Sequence, residues 1–363
     1  MSAAPRRILM VAPHFEEYSL RLSAALAAHS EVLLVIDTGV LATEFAERDM
    51  PSHPRLRLSH SSFATPAELV RLLAELRRFR PDVLHWQEPS GFIKAGFAAA
   101  SVTAARRATR TAVTIHDPVP HAGRDARVAA RLAALRRFTR RRVDRLFLHG
   151  PACVAQYQQD YLRSAKPDAR VRLTEHGILL PPPTRNPAPT RFRALMFGRM
   201  EAYKGLDTLA AALEILAIKG QPVAIHIAGN GPELDRLEPR LSQLPGATVT
   251  NMFVPARSLV EHIGEATCVL LPYEEASQSG VLAAAFAGGR FVIATHVGGL
   301  VDLVGHGSNG LLVPPDDPAA LAAALAQAAD GPSLCRRLCD GAAETAAQRL
   351  DWGRIAEQLL LDY

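Results

Sequence analysis

The chain has 363 residues, 48% hydrophobic and 21% charged, which are globular proportions with apolar material for two ordinary cores and exclude a disordered chain. Four scattered cysteines, Cys153, Cys268, Cys335 and Cys339, exclude a disulfide framework, and no apolar run reaches the roughly 18–20 residues of a membrane-spanning helix. The net charge of +5 hides an asymmetry: residues 1–185 carry 28 Lys+Arg against 17 Asp+Glu, and residues 186–363 carry 13 against 19, so the first half is suited to an anionic partner.

In chain order, the basic start is followed by Ile8–Ala12, too short for a signal-peptide core and read as a first strand, which places the protein in the cytoplasm. Further apolar, β-branched runs follow at Val32–Ile36, Val83–Trp86, Ala112–Ile115 and Leu146–Leu148. A second series runs through Ala194–Phe197, Ala224–Ala228, Val269–Leu271, Phe291–Ala294 and Leu311–Val313. Ala/Leu/Arg-rich helical stretches separate them. Uninterrupted apolar strands alternating with helices predict parallel sheets covered on both faces. Leu206, Leu209, Leu213 and Leu216 follow 3-4-3 spacing, one apolar helical stripe that Gly220 closes. Between the two series, five prolines in Leu180–Thr190 make a stiff connector. The expected architecture is therefore α/β: two Rossmann-like doubly wound domains, 1–182 and 190–350, facing across a cleft at the C-terminal ends of their strands.

Two stretches carry chemistry. Phe197-Gly198-Arg199-Met200-Glu201-Ala202-Tyr203-Lys204-Gly205 leaves a strand and enters a helix, so Arg199 and Lys204 bring two cations to a helix start that already favours anions. The bland reading is a loop with two solvated cations. Pro272-Tyr273-Glu274-Glu275-Ala276-Ser277-Gln278-Ser279-Gly280 makes the same transition. It offers Glu275 for sugar hydroxyls, polar groups at Ser277, Gln278 and Ser279, and a backbone at Gly280 that a ligand can approach. The bland reading is a helix cap.

In order and spacing these stretches resemble the retaining GT-B glycosyltransferases of family four, the group 1 glycosyl transferases. Ala228-Gly229-Asn230-Gly231-Pro232, Val292–Leu300 and Gly310–Val313 with Asp316 add to the resemblance, which is strongest over residues 194–320. It implies a hexosyltransferase-type enzyme that moves a sugar from a UDP- or GDP-sugar to an acceptor in polysaccharide, glycolipid or other glycoconjugate biosynthesis, without a metal. Arg199 and Lys204 would neutralise the departing diphosphate, and Glu275 would hold the transferred sugar. Backbone N–H groups near Ser279 and Gly280 would meet the phosphates, and Phe253 and Val254 would lie at the base. Thr114-Ile115-His116-Asp117 resembles the segment whose histidine lies near the sugar, so His116 is preferred to His85 as the active-site histidine. By the same resemblance a last helix, about 352–363, crosses back to the first domain.

Two departures stand out. Ala283 and Ala284 occupy the region where many relatives carry a second glutamate, which keeps open a non-catalytic sugar-nucleotide-binding protein on the same scaffold. The loop Pro13–Ser19 lacks the usual glycine pair, leaving His14 or Glu16 to shape the acceptor side. A nicotinamide-dependent dehydrogenase is disfavoured, since no Gly-x-Gly-x-x-Gly follows the first strand. The basic run Arg136–Arg142, extending Arg124, Arg127 and Arg131, suits either solvent or an anionic membrane surface, with a lipid-linked acceptor as one expectation. Phe138 is the single aromatic within it, too few for the interleaved stacking by which single-stranded nucleic acid is bound, so no nucleic-acid partner is expected.

Overall fold

The computed structural model describes residues 6–45, 50–105, 107–116, 118, 124–162, 168–180, 189, 191–276 and 279–363. The chain divides into two compact units, Met1–Gly177 with Trp352–Tyr363, and Ile178–Asp351. The proline-rich stretch 181–188, expected as the connector, lies outside the described residues.

In the first unit, β1 (Arg7–Ala12), β2 (Glu31–Ile36), β3 (Leu56–His60), β4 (Val83–Gln87), β5 (Arg110–Ile115), β6 (Arg145–His149) and β7 (Val171–Thr174) form a parallel sheet in the order β3-β2-β1-β4-β5-β6-β7. Ile8 is aligned with Val32 on one side and Val83 on the other. Residues Ile8 to Ala12 are wholly buried, as a central strand covered on both faces must be. In the second unit, β8 (Ala194–Arg199), β9 (Ile225–Asn230), β10 (Ala247–Asn251), β11 (Cys268–Leu271), β12 (Phe291–Thr295) and β13 (Gly310–Val313) give a parallel sheet ordered β10-β9-β8-β11-β12-β13.

All ten apolar runs are strands. The three strands with no such run, β3, β7 and β10, are edge strands whose residues are mostly half-buried or exposed. With one flank and much of a face open to solvent, they need no continuous apolar string. The 3-4-3 leucine stripe lies on the helix Leu206–Ile218, and all four leucines are buried. The helix Trp352–Asp362 packs in the first unit, where the Trp352 indole meets the Tyr18 ring edge-on at 5.1 Å and Asp362 pairs with Arg172 at 3.0 Å.

Candidate active site

Each sheet has one place where the strand order reverses. In the second unit it lies between β8 and β11, whose following segments lead to opposite sides and leave a crevice at the strand ends. Gly198 bends the end of β8 with φ 109°, and a short 3-10 turn, Ala202–Lys204, leads into Gly205 at φ 67°. A β-carbon on Gly205 would stand 1.8 Å from the Pro272 carbonyl oxygen, so only glycine lets the two backbones press together here. The Glu274 amide donates to the Tyr203 carbonyl at 2.7 Å and completes the seam.

That seam draws Lys204 inward. Its side chain is 5% exposed, its Nζ donates to the Tyr273 hydroxyl at 3.1 Å, and it lies 4.9 Å from the centre of the Tyr273 ring. The partner is a neutral phenol rather than a carboxylate. Burial therefore holds the ammonium pKa below its ordinary value, and raises that of the buried Tyr273. Arg199, by contrast, is 79% exposed and only 3.8 Å from Glu201, an ion pair worth little in water. Arg199 is thus a solvated cation and Lys204 is a buried one.

Of the other expected donor-site residues, Ser279 is the N-cap of the helix Gly280–Ala287, its Oγ accepting from the Leu282 amide at 3.2 Å. An added β-carbon on Gly280 would meet nothing within 4 Å, so the packing leaves the helix start open. Glu275 is exposed just beyond β11, and Ser277 and Gln278 lie outside the described residues. Phe253 follows β10 and is 76% exposed, so it is not core, whereas Val254 is half-buried against the core. Ala283 and Ala284 are buried in their helix. Gly229 and Gly231 are structural: β-carbons there would strike the Gly198 and Met200 carbonyl oxygens.

The first unit reverses between β1 and β4. Here His116, just past β5, is 2% exposed and both ring nitrogens are engaged: Nε2 is 2.8 Å from Gln87 Oε1, and Nδ1 is 3.2 Å from His149 Nε2. With Gln87 accepting, His116 carries its proton on Nε2 and receives one from His149 on Nδ1. Burial, then the neighbouring His149 and His176, hold His116 far below the usual histidine range, so it is a neutral imidazole. In this arrangement neither nitrogen is open to a substrate. The Phe15 ring stacks on its face. His85 is structural, bound to the Tyr363 hydroxyl and, at 2.8 Å, to Thr114 Oγ1.

The basic run is not uniformly a surface feature. Arg140 is 2% exposed and forms a fork with Glu88, two hydrogen bonds of 2.6 Å, while its guanidinium covers the Tyr161 ring at 4.0 Å. Arg137, Arg141 and Arg142 line a surface hollow of about 380 Å³ with Ala134 and Phe138. The four cysteines are buried, and burial raises the thiol pKa of Cys268, Cys335 and Cys339. Among the described residues no cluster of His, Cys, Asp and Glu could hold a metal ion, and no helix is long and apolar enough to cross a membrane.

Residues 191–330 match the family described as Glycosyl transferases group 1, and residues 15–180 match Glycosyltransferase Family 4. The chain belongs to the group 1 glycosyltransferases. The chain is 28% identical over 174 residues to glycogen synthase of Mycobacterium tuberculosis, covering 47% of the chain and 42% of that protein. It is 32% identical over 175 residues to D-inositol 3-phosphate glycosyltransferase of Jonesia denitrificans, covering 46% and 41%. The chain thus spans about two-fifths of the length of the curated relatives it matches. Its fold is the two-domain Rossmann-like GT-B fold: sucrose-phosphate synthase of Thermosynechococcus elongatus superposes with a TM-score of 0.74 at 19% identity, covering 98% of both chains. HepE of Anabaena in complex with UDP-glucose gives 0.72 at 16%, again covering 98% of both. Tyr273, Gln87 and Phe15 at the two crevices were not singled out by sequence, because their partners lie in other segments of the chain and no local spacing marks them.

Proposed function

We propose that this chain is a retaining glycosyltransferase that uses a nucleoside-diphosphate sugar, UDP- or GDP-linked, and that its second unit grips the donor diphosphate. The observation that carries the reading is Lys204, a buried ammonium at a strand-order reversal whose partner is a neutral phenol. An anion arriving there meets a cation already stripped of water, and such an electrostatic contact is strong. Arg199 adds a mobile fork from the rim, and the open start of the helix Gly280–Ala287 adds backbone donors. As the sugar C1–O bond to the diphosphate breaks, the charge grows on oxygens near Lys204 and Arg199. The bond from C1 to the acceptor oxygen forms on the same face, and the acceptor proton passes to the departing phosphate. Glu275 orients sugar hydroxyls, Phe253 and Val254 border the base, and His116 supports the acceptor side as a fixed neutral ring. HepE is recorded with UDP, UDP-glucose and with UDP and glucose, which favours a uridine donor here.

A thermal-shift screen against UDP, GDP, ADP, dTDP and NAD, with Arg199→Ala and Lys204→Ala alongside, tests the reading. Stabilisation by one nucleoside diphosphate that both substitutions abolish supports it, while no response to any diphosphate overturns it. Binding with no release of sugar from the donor would favour the non-catalytic alternative.

The acceptor is proposed to be lipid-linked or close to an anionic membrane. Arg137, Arg141 and Arg142 surround a half-exposed Phe138, and Arg142 lies over its ring at 5.3 Å. Such basic and apolar surfaces favour anionic lipid. Binding to phosphatidylglycerol vesicles that weakens with salt is expected, and indifference to them at low salt refutes this part.

A further inference from the structure

The Phe15 and His116 rings are stacked with centroids 3.8 Å apart and planes inclined by 23°. His116 is 2% exposed and Phe15 is 40% exposed. One face of the Phe15 ring is therefore spent on His116, and its exposure belongs to the opposite face and the edge. The residue sits at φ 60°, ψ 51°, the left-handed region that L side chains other than Asn and Asp rarely adopt.

Its placement is secured from several sides. The Ser19 amide and hydroxyl both donate to the Phe15 carbonyl, at 2.9 and 2.7 Å. Lys94 Nζ donates to the Pro13 carbonyl at 2.9 Å, and the His14 ring meets Ser90 Oγ at 2.6 Å. Beneath it, the two hydrogen bonds of His116 to Gln87 and His149 fix the plane of the supporting ring. A strained backbone, over-determined by its neighbours, thus presents a flat apolar face at the β1/β4 reversal, where an open α/β sheet receives ligands. Buried phenylalanines need no such scaffold.

We infer that Phe15 is an acceptor-recognition residue whose outer ring face packs against the C–H face of a pyranose ring. The inference rests on the glycosyltransferase reading and assigns the acceptor a sugar at its receiving end. One side of a pyranose exposes only ring C–H bonds, and its removal from water onto an aromatic face is favoured like any apolar contact. The hydroxyls at the ring's edge remain free for the polar side chains that flank Phe15, namely His14, Glu16 and Lys94. Water and small alcohols lack such a face and gain nothing from the ring.

The test is saturation-transfer difference NMR on the full chain with saturating UDP, using methyl α-D-glucopyranoside and methyl α-D-mannopyranoside as probes. Phe15→Gly removes the ring and suits the left-handed backbone, which offsets part of the packing lost over His116, and its folding is checked by its melting temperature; Phe15→Trp keeps an aromatic face. The expected result is saturation of ring C–H protons by the wild-type chain, about fivefold weaker transfer with Phe15→Gly, and transfer retained with Phe15→Trp. No transfer to either glycoside from the wild-type chain, or equal transfer from Phe15→Gly, overturns the inference. The thermal shift with UDP is read on the same three proteins. Its absence counts against the donor reading, whereas its presence with the NMR result unfavourable rejects only the role of Phe15.

Discussion

Replacing Lys204 by methionine separates its charge from its volume. The free chain already bears the cost of taking the ammonium out of water, so a diphosphate gains most of the attraction. A hydrogen bond to a charged group contributes about 1.5–3 kcal/mol. Taking the upper part of that range, Lys204→Met should weaken UDP binding by about 100-fold, or roughly 2.7 kcal/mol. At a UDP concentration near 100 times Kd the wild-type chain gains about 2.7 kcal/mol of stability, and the variant at the same concentration only about 0.4. For a unit of this size each kcal/mol moves Tm by about 2–4 °C, so a shift of about 8 °C falls to about 1 °C. The ligand-free variant should melt no lower than the wild type, because methionine fills the site without a buried charge. The pH dependence has a definite sign. The folded-state pKa of Lys204 lies below the ordinary 10.5, so in the window between that lowered value and 10.5 the unfolded chain binds more protons and stability rises with pH. Lys204→Met should lack this component. Differential scanning fluorimetry over a pH series reads both effects; an undiminished UDP shift in Lys204→Met would refute the assignment of the buried ammonium to phosphate.

Three further outcomes follow from the same geometry. Arg199→Ala should change the free chain's stability by no more than about 0.5 kcal/mol, since the side chain is 79% exposed, yet lower UDP affinity measured by calorimetry. Gly205→Ala should lower Tm of the second unit by roughly 6–12 °C, because its β-carbon collides with the Pro272 carbonyl and the backbone is left-handed, a defect of about 3 kcal/mol; an unchanged Tm would show that the seam yields freely. The first unit should weaken in acid: His85 and His149 are each held by burial to a pKa of about 3, so as pH falls from 6.5 toward 3 the unfolded chain takes up protons that the folded chain refuses. Two such groups cost about 2.7 kcal/mol per pH unit in that window. Trp86 and Trp352, the two tryptophans of the chain, both lie in the first unit, so their fluorescence reports its unfolding.

The central strands were legible because burial on both faces demands an unbroken apolar string, as Ile8–Ala12 and Phe291–Ala294 display. β3, β7 and β10 escaped notice for the opposite reason: an edge strand is held by one neighbour's backbone and its side chains report solvent. Arg199 and Lys204 were found by the turn that carries them, but their different fates were not. That difference arises from Gly205 meeting Pro272, a contact across 67 residues that no local pattern records. His116 was preferred to His85, and it lies just past β5 beside Gln87 and Phe15. What the residues near His116 could not disclose is that Gln87 and His149 consume both its nitrogens, since those partners come from β4 and β6.

The return of the chain to its first unit has a consequence for folding. Residues 178–351 form a complete sheet with its own core, while the first unit still lacks the helix Trp352–Asp362. In refolding, the second unit can therefore be completed without the chain's last segment. The first unit must wait with an unfinished flank until Tyr363 can reach His85, a contact spanning 278 positions, and closing so long a loop is slow. A purified chain truncated after residue 350 should therefore hold a protease-resistant second unit beside a labile first one.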